Sequence, residues 1–318
     1  MRDRRGLLRL GPATLAASVV WSRALAQTKL PRIGTLLDEF GGAFEDGLRA
    51  LGYVEGVNIV IDRRVGGGAM DDARAKLTEL VRLKPDLLVI QTTPIAFLAR
   101  QMAPGTPLVV QLADPVAAGL ADSLARPGRD VTGIASMAQE LGGKRLAMIR
   151  DIIGPGVQIV LLHTDPPPMG SLQVHSRAAV AASVMLTPAI VRRADEIDAV
   201  VALHAAAGAK ALTTTTGPFF TENRAILLAA ARRWRLLDAH DNREFAEEGA
   251  AIAYAANNTD VHRRLASFVD RILKGAKPGE IPFEQPTRFQ LILNRKTIEA
   301  LGYTIPPSLL GLADEVIE

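Results

Sequence analysis

Acids, hydroxyls and amides recur in this chain where an apolar run stops. Asp38 and Glu39 follow the run Arg32 to Leu37. Thr92 and Thr93 follow Asp86 to Ile90, and Asp114 follows Leu108 to Leu112. Ser136 follows a short run after Gly133. His163 and Asp165 close the run from Val157, Thr216 closes the run from Ala211, Asp241 follows His240, and Asn257 follows the run from Ala250 to Ala255. A carboxylate so placed takes an ammonium group. A hydroxyl, together with the N–H groups of a following helix, takes a carboxylate. These side chains are candidate contacts for a small polar or zwitterionic ligand. Two of the positions have a second reading. Asp114 stands before Pro115, a standard helix start in which aspartate only caps. The Thr213 to Thr216 run also suits a strand by β-propensity alone.

Other chemistries leave no signature. The chain has no cysteine, which removes disulfides, thiolate catalysis and Cys-ligated metal. It has no G-x-S-x-G elbow, phosphate-binding loop or H-E-x-x-H pair. His163, His175, His204, His240 and His262 show no metal-ligand spacing. No catalytic residue, no metal and no cofactor are therefore expected. Gly66-Gly67-Gly68 reads as a plain loop.

The elements that must position the candidates alternate. Apolar runs at 32–37, 59–63, 86–90 and 108–112 are separated by helical stretches at 43–51, 71–83 and 95–103, with a short helix expected over 116–124. After Gly154-Pro155-Gly156 the pattern restarts, with strands at 157–163, 184–186, 211–215 and 250–255. Helices are expected at 171–182, 195–206 and 221–234 between them. Strand–helix alternation implies α/β architecture: parallel sheets flanked by helices, in two similar lobes. If the lobes face each other, the strand ends line an interlobe ligand cleft. A final amphipathic helix, His262 to Leu273, presents Leu265, Phe268, Val269, Ile272 and Leu273 on one face.

The first residues read as an address. Arg2, Arg4 and Arg5 precede an apolar stretch, and Ala24-Leu25-Ala26 forms an A-x-A end, as in a secretory signal peptide over residues 1–26. Arg4-Arg5 suits either a twin-arginine or a general signal. The full chain of 318 residues carries net charge +3. Residues 1–26 hold five arginines and one aspartate, so 32 basic and 33 acidic residues remain, a net charge of −1. That balance gives no footprint for nucleic acid. No membrane span is expected after residue 26.

The residues also resemble a family. The pieces that carry the resemblance are Gly47 to Gly56 (G-L-R-A-L-G-Y-V-E-G), Asp114-Pro115-Val116, Ser123 to Gly128 with Val131-Thr132-Gly133, Gly143-Lys144-Arg145-Leu146, Val269 to Pro278, Glu284-Gln285-Pro286-Thr287, and Leu301 to Leu310 with Ala313 to Glu318. They are similar to the periplasmic substrate-binding components of ABC transporters of the tryptophan-binding-like type. The resemblance implies two Rossmann-like lobes of the type I periplasmic-binding kind that close on a ligand by hinge motion. It implies lobe 1 over 27–138 and 258–285, and lobe 2 over 139–257 and 286–318. It also implies an amino acid or related carboxylate as ligand, separate permease and ATPase chains as partners, a periplasmic location and a monomer. A periplasmic enzyme on the same scaffold, or a sensing module for a receptor, are the alternatives. The chain departs from the family pattern mostly in the second lobe. There Asp238-Ala239-His240-Asp241-Asn242 replaces an apolar strand. Either that strand frays or its polar groups line the cleft.

Overall fold

The computed structural model describes residues 29–37, 41–65 and 70–318. The expected signal segment, Asp38 and Glu39 lie outside them. Five strands form the first sheet: β1 (Arg32–Leu37), β2 (Val60–Val65), β3 (Leu87–Gln91), β4 (Leu108–Leu112) and β5 (Val131–Ala135). All pair in parallel, in the order β2-β1-β3-β4-β5. The central strands β3 and β4 read L-L-V-I-Q and L-V-V-Q-L and are almost wholly buried. Such continuous apolar runs belong to sheets covered on both faces. The cover comes from α1 (Gly41–Ala50), α2 (Met70–Arg82) and α3 (Thr93–Met102). One apolar cluster joins α2 and α3 to the sheet on one side, and another joins α1 to it on the other.

The chain leaves this sheet through Ser136 and Met137 into α4 (Ala138–Ile153). The second unit follows as β6 (Gln158–His163), α5 (Ser171–Ala182), β7 (Met185–Ile190), α6 (Ile197–Ala206), β8 (Ala211–Thr214), α7 (Pro218–Glu222), α8 (Arg224–Arg233), β9 (Leu237–His240), α9 (Arg243–Glu247) and β10 (Ile252–Ala256). The long helix α10 (Asn258–Leu273) then returns to the first sheet. Its buried face, including Leu265, Phe268 and Val269, packs there beside α1. The chain closes on the second sheet with β11 (Phe289–Asn294), α11 (Arg295–Ala300), α12 (Pro307–Leu310) and β12 (Glu315–Ile317). That sheet runs β12-β11-β10-β9-β8-β6-β7, with β11 antiparallel to β10. Its β7-β6-β8-β9-β10 portion repeats the strand order of the first sheet. The architecture is α/β, with two parallel-dominated sheets flanked by helices.

Three local expectations are corrected. The stretch 116–124 forms no helix. After one turn closed by Ala118 N–H to the Asp114 carbonyl, Gly119 takes φ 69° and the chain continues as turns. The helix expected over 221–234 begins earlier and is two, α7 and α8, interrupted at Asn223. The strand near 184–186 extends to Ile190 and contains Pro188. A missing N–H is tolerated there because β7 is an edge strand.

The approach of α1 and α10 depends on Gly47. A Cβ at that position would lie 2.5 Å from the Arg263 carbonyl oxygen and 2.9 Å from the Ala266 Cβ. The residue type in the Gly47-Leu48-Arg49 motif thus sets how closely the returning helix docks.

Candidate functional site

In an open parallel sheet the crevice lies at the C-terminal strand ends, where the strand order reverses. In the first sheet the reversal falls between β1 and β3, and in the second between β6 and β8. A cavity of about 300 Å³ lies against these places. Leu36, Leu37, Gln91 and Thr92 line it from the first switch point, and Thr216, Gly217 and Pro218 from the second. Residues at two passages of the chain between the sheets complete it: Ser136 and Ala138 at one, Ala256 and Asn258 at the other.

Thr92 and Thr216 hold corresponding positions. Each follows the strand placed third in its sheet's five-strand pattern, and each precedes by two residues a proline in the first turn of a helix (Pro94 of α3, Pro218 of α7). Proline at a helix start fixes φ without losing a needed donor. Thr92 is held at φ 75°, ψ 141°, a region that β-branched residues avoid because Cβ meets the backbone. Strain of this kind costs about 1–3 kcal/mol and persists where the surroundings enforce it.

The threonine run divides between two roles. Thr213 is buried, and its Oγ1 donates to the Ala239 carbonyl at 2.8 Å, tying β8 to β9. Thr216, three residues on, is exposed in the cavity.

Of the strand-end candidates, Thr92, Ser136, Thr216 and Asp241 come together around this cavity. The other described candidates lie elsewhere. Asp114 Oδ1 accepts from the amides of Val116 (3.0 Å) and Ala117 (2.9 Å), so its side chain caps the turn that replaces the expected helix. Thr93 is the first residue of α3 and lies outside the lining. His163 is buried, and its Nδ1 pairs with the Thr164 carbonyl at 2.9 Å. Asp165 pairs with Arg192 at 2.8 Å on the surface. Asn257 caps α10, accepting from the Asp260 amide at 3.1 Å.

The polar stretch 238–242 neither frays nor lines the cavity along its whole length. Asp238 and His240 face the interior as a pair. Asp241 and Asn242 face the cavity.

The structure adds residues that strand-end reasoning missed. Gln111 lines the cavity from β4 and pairs with His262 Nε2 of α10 at 3.0 Å. Asn242 donates to Thr221 Oγ1 at 3.4 Å and accepts from Asn258 at 3.2 Å, linking α7, the exit of β9 and α10 at the rim. Arg145 on α4 lines the cavity with no exposed surface. Its Nη1 donates to the Tyr254 carbonyl at 3.2 Å. Burial depresses its pKa, and only the Asp241 charge works in the opposite direction. A signal for Arg145 was present in the sequence. It stands four residues after Leu141 and one before Leu146, a charge on the apolar face of α4.

The third passage between the sheets is pinned at Glu284. Its backbone pairs with Gly133 and Ala135 on the outer edge of β5. Its carboxylate accepts from Arg264 Nε (2.6 Å) and Nη2 (2.8 Å) in a side-by-side pair. Among the described residues no helix is long and apolar enough to cross a membrane.

Comparison with known proteins agrees with this geometry. Residues 34–317 match the family model described as ABC transporter substrate binding protein. A tyrosine-binding protein of Clostridioides difficile is 22% identical over 279 residues, covering 83% of this chain and 77% of that protein. Among solved structures, an ABC domain from Streptococcus pneumoniae in complex with L-Trp superposes with a TM-score of 0.82 at 22% identity, covering 91% of this chain and 100% of that one. A conserved domain protein from Vibrio cholerae gives 0.83 at 21% identity with the same coverage.

Proposed function

The chain belongs to the ABC transporter substrate-binding protein family, and from that premise we propose that it captures an amino acid or related small carboxylate in the cavity between its two sheets and delivers it to a separate permease and ATPase. The observation that carries the reading is the cavity itself. It is built from both switch points and from two chain passages that join the sheets. A ligand there touches both lobes at once, so binding favours their closed arrangement. The lobes of this reading are residues 27–138 with 258–285, and 139–257 with 286–318.

The chemistry of the lining supports a zwitterion. Asp241 offers a carboxylate for an ammonium group, while Thr92, Ser136 and Thr216 offer hydroxyls. The apolar surface of Leu36, Leu37, Ile95 and Leu141 suits an apolar side chain. The similar proteins that bind tyrosine and L-Trp point the same way. Substrate-binding proteins of ABC importers act outside the cytoplasm. For this chain we propose the periplasm, a monomer, and binding without turnover.

The test is a thermal-shift panel of the L-amino acids and small sugars against the protein. An amino acid at 100 times its Kd stabilises the fold by about 2.7 kcal/mol. A panel in which no compound moves the melting temperature sinks the reading. Chemical conversion of a bound compound, followed by NMR, sinks the binding-only role.

A further inference from the structure

A fully buried arginine on a cavity wall is costly unless its donors are used, because each unpaired donor forfeits its hydration. Arg145 has one anchored donor, Nη1, on the Tyr254 carbonyl. Its Nε and Nη2 are buried and have no hydrogen-bond partner among the described residues. The remaining pair is not arbitrary. Nε–H and Nη2–H point in parallel along one edge of the guanidinium, the edge that matches the two oxygens of a carboxylate. Arg264 uses the same edge on Glu284 in this molecule, at 2.6 and 2.8 Å. Among the described residues no such carboxylate is supplied to Arg145. Asp241 shares the cavity lining but forms no ion pair with Arg145 among the described residues.

We propose that Arg145 is the carboxylate-reading residue of the cavity, its Nε–H and Nη2–H taking the two oxygens of a ligand carboxylate side by side. The inference rests on the solute-binding reading above and narrows it: the ligand is an anion at this end, and neutral polyols are excluded. The Tyr254 carbonyl fixes the plane of the guanidinium from β10, while α4 supplies the side chain. Both belong to the second unit, Arg145 shortly after the passage at Ser136–Ala138 and the Tyr254 carbonyl shortly before the one at Ala256–Asn258. A carboxylate bound to Arg145 is therefore held by the second lobe, close to both passages. Asp241 is left free for a cationic group of the same ligand.

The test changes the ligand first, so that it does not depend on any variant folding. The amino acid giving the largest thermal shift is titrated by calorimetry against its own carboxamide, which keeps the shape and loses the second oxygen and the charge. The carboxamide is expected to bind at least about 30-fold more weakly, the loss that follows when one member of a buried charge pair is truncated. Arg145→Met is then expected to bind acid and carboxamide within a few-fold of each other. Arg145→Lys keeps the charge without the edge and falls between.

Equal binding of acid and carboxamide by the unaltered protein overturns the proposal. So does an Arg145→Met protein that folds and still prefers the acid as before. A panel in which a sugar, and no amino acid, shifts the melting temperature overturns it while leaving solute binding intact. A panel in which nothing shifts overturns both.

Discussion

His240 Nε2 and Asp238 Oδ2 lie 3.1 Å apart on the same face of β9, with His240 wholly buried and Asp238 2% exposed. Residues two apart on a strand share a face, so this pairing follows directly from the strand's geometry. The pair is braced on both sides. Asp238 Oδ1 accepts from the Ala251 amide at 2.8 Å, and the His240 ring stacks on Phe245 with centroids 4.2 Å apart. A polar strand stands where the family pattern has an apolar one, and both Asp238 oxygens and His240 Nε2 are paired inside the sheet, while His240 Nδ1 has no partner among the described residues.

Asp238→Ala leaves the Ala251 N–H and the His240 ring without their acceptor. Each buried unsatisfied group costs about 1–3 kcal/mol. The urea midpoint of the variant is expected to fall accordingly, with Asp238→Asn losing less. An unchanged midpoint means the pair contributes nothing to stability.

Asp114 and Asp241 are expected to respond in opposite ways. Asp114 caps a turn through two amides, so Asp114→Ala lowers stability by about 0.5–2 kcal/mol and leaves ligand affinity in place. Asp241 lines the cavity, so Asp241→Asn weakens binding of a zwitterion, and it lowers the urea midpoint only as far as the buried Arg145 loses an opposing charge. Calorimetry with each variant separates the two roles. Loss of affinity in Asp114→Ala would return that residue to the site.

Gly47→Ala opposes two effects. Alanine gains about 1 kcal/mol of helix propensity over glycine. The added Cβ meets the Arg263 backbone oxygen at 2.5 Å, and backbone cannot rotate away. Overpacking of this kind costs about 1–3 kcal/mol. The prediction is a net loss of stability, read from the urea midpoint, despite the better helix former.

His175 supplies a pH dependence. It is 1% exposed, and its Nδ1–H donates to the Ser171 carbonyl at 2.7 Å. Burial holds its pKa below the ordinary 6.5; the Ser171 bond opposes this, and the nearby Arg145 charge adds a smaller push in the same direction as burial. The folded state therefore binds this proton less readily than the unfolded state. Its contribution to stability is complete above about pH 6.5 and is lost as pH falls below that value towards the folded-state pKa. The melting temperature should drop between pH 7 and 5, and His175→Asn should show a smaller drop. Parallel curves for the two proteins would show that His175 does not titrate on unfolding.

Much of the fold was legible because hydrophobic periodicity is local. The runs L-L-V-I-Q and L-V-V-Q-L specify buried parallel strands wherever they are read, and the restart after Gly156 showed a second unit of the same kind. Thr92, Ser136 and Thr216 could be nominated because a strand end before a helix is a position that sequence defines. The helix expected after Asp114 was not formed, because a single left-handed Gly119 ended it after one turn.

The division inside the polar stretch was not legible. Asp238, His240 and Asp241 are similar letters in a row, and only the pleat of β9 sends the first two inward while Asp241, beyond the strand's end, reaches the cavity. Arg145 left a signal, a charge on an apolar helix face, but not its role. It sits mid-helix, far from any strand end, and its importance arises from where α4 meets the Tyr254 carbonyl across 109 residues of chain. The sequence by itself determined most of the elements, their order and the family, because these depend on local pattern and on ordered motifs. The tertiary structure alone decided which polar groups share the cavity and which are satisfied within the core. That choice depends on contacts between segments distant in sequence, and on whether each buried donor finds an acceptor there.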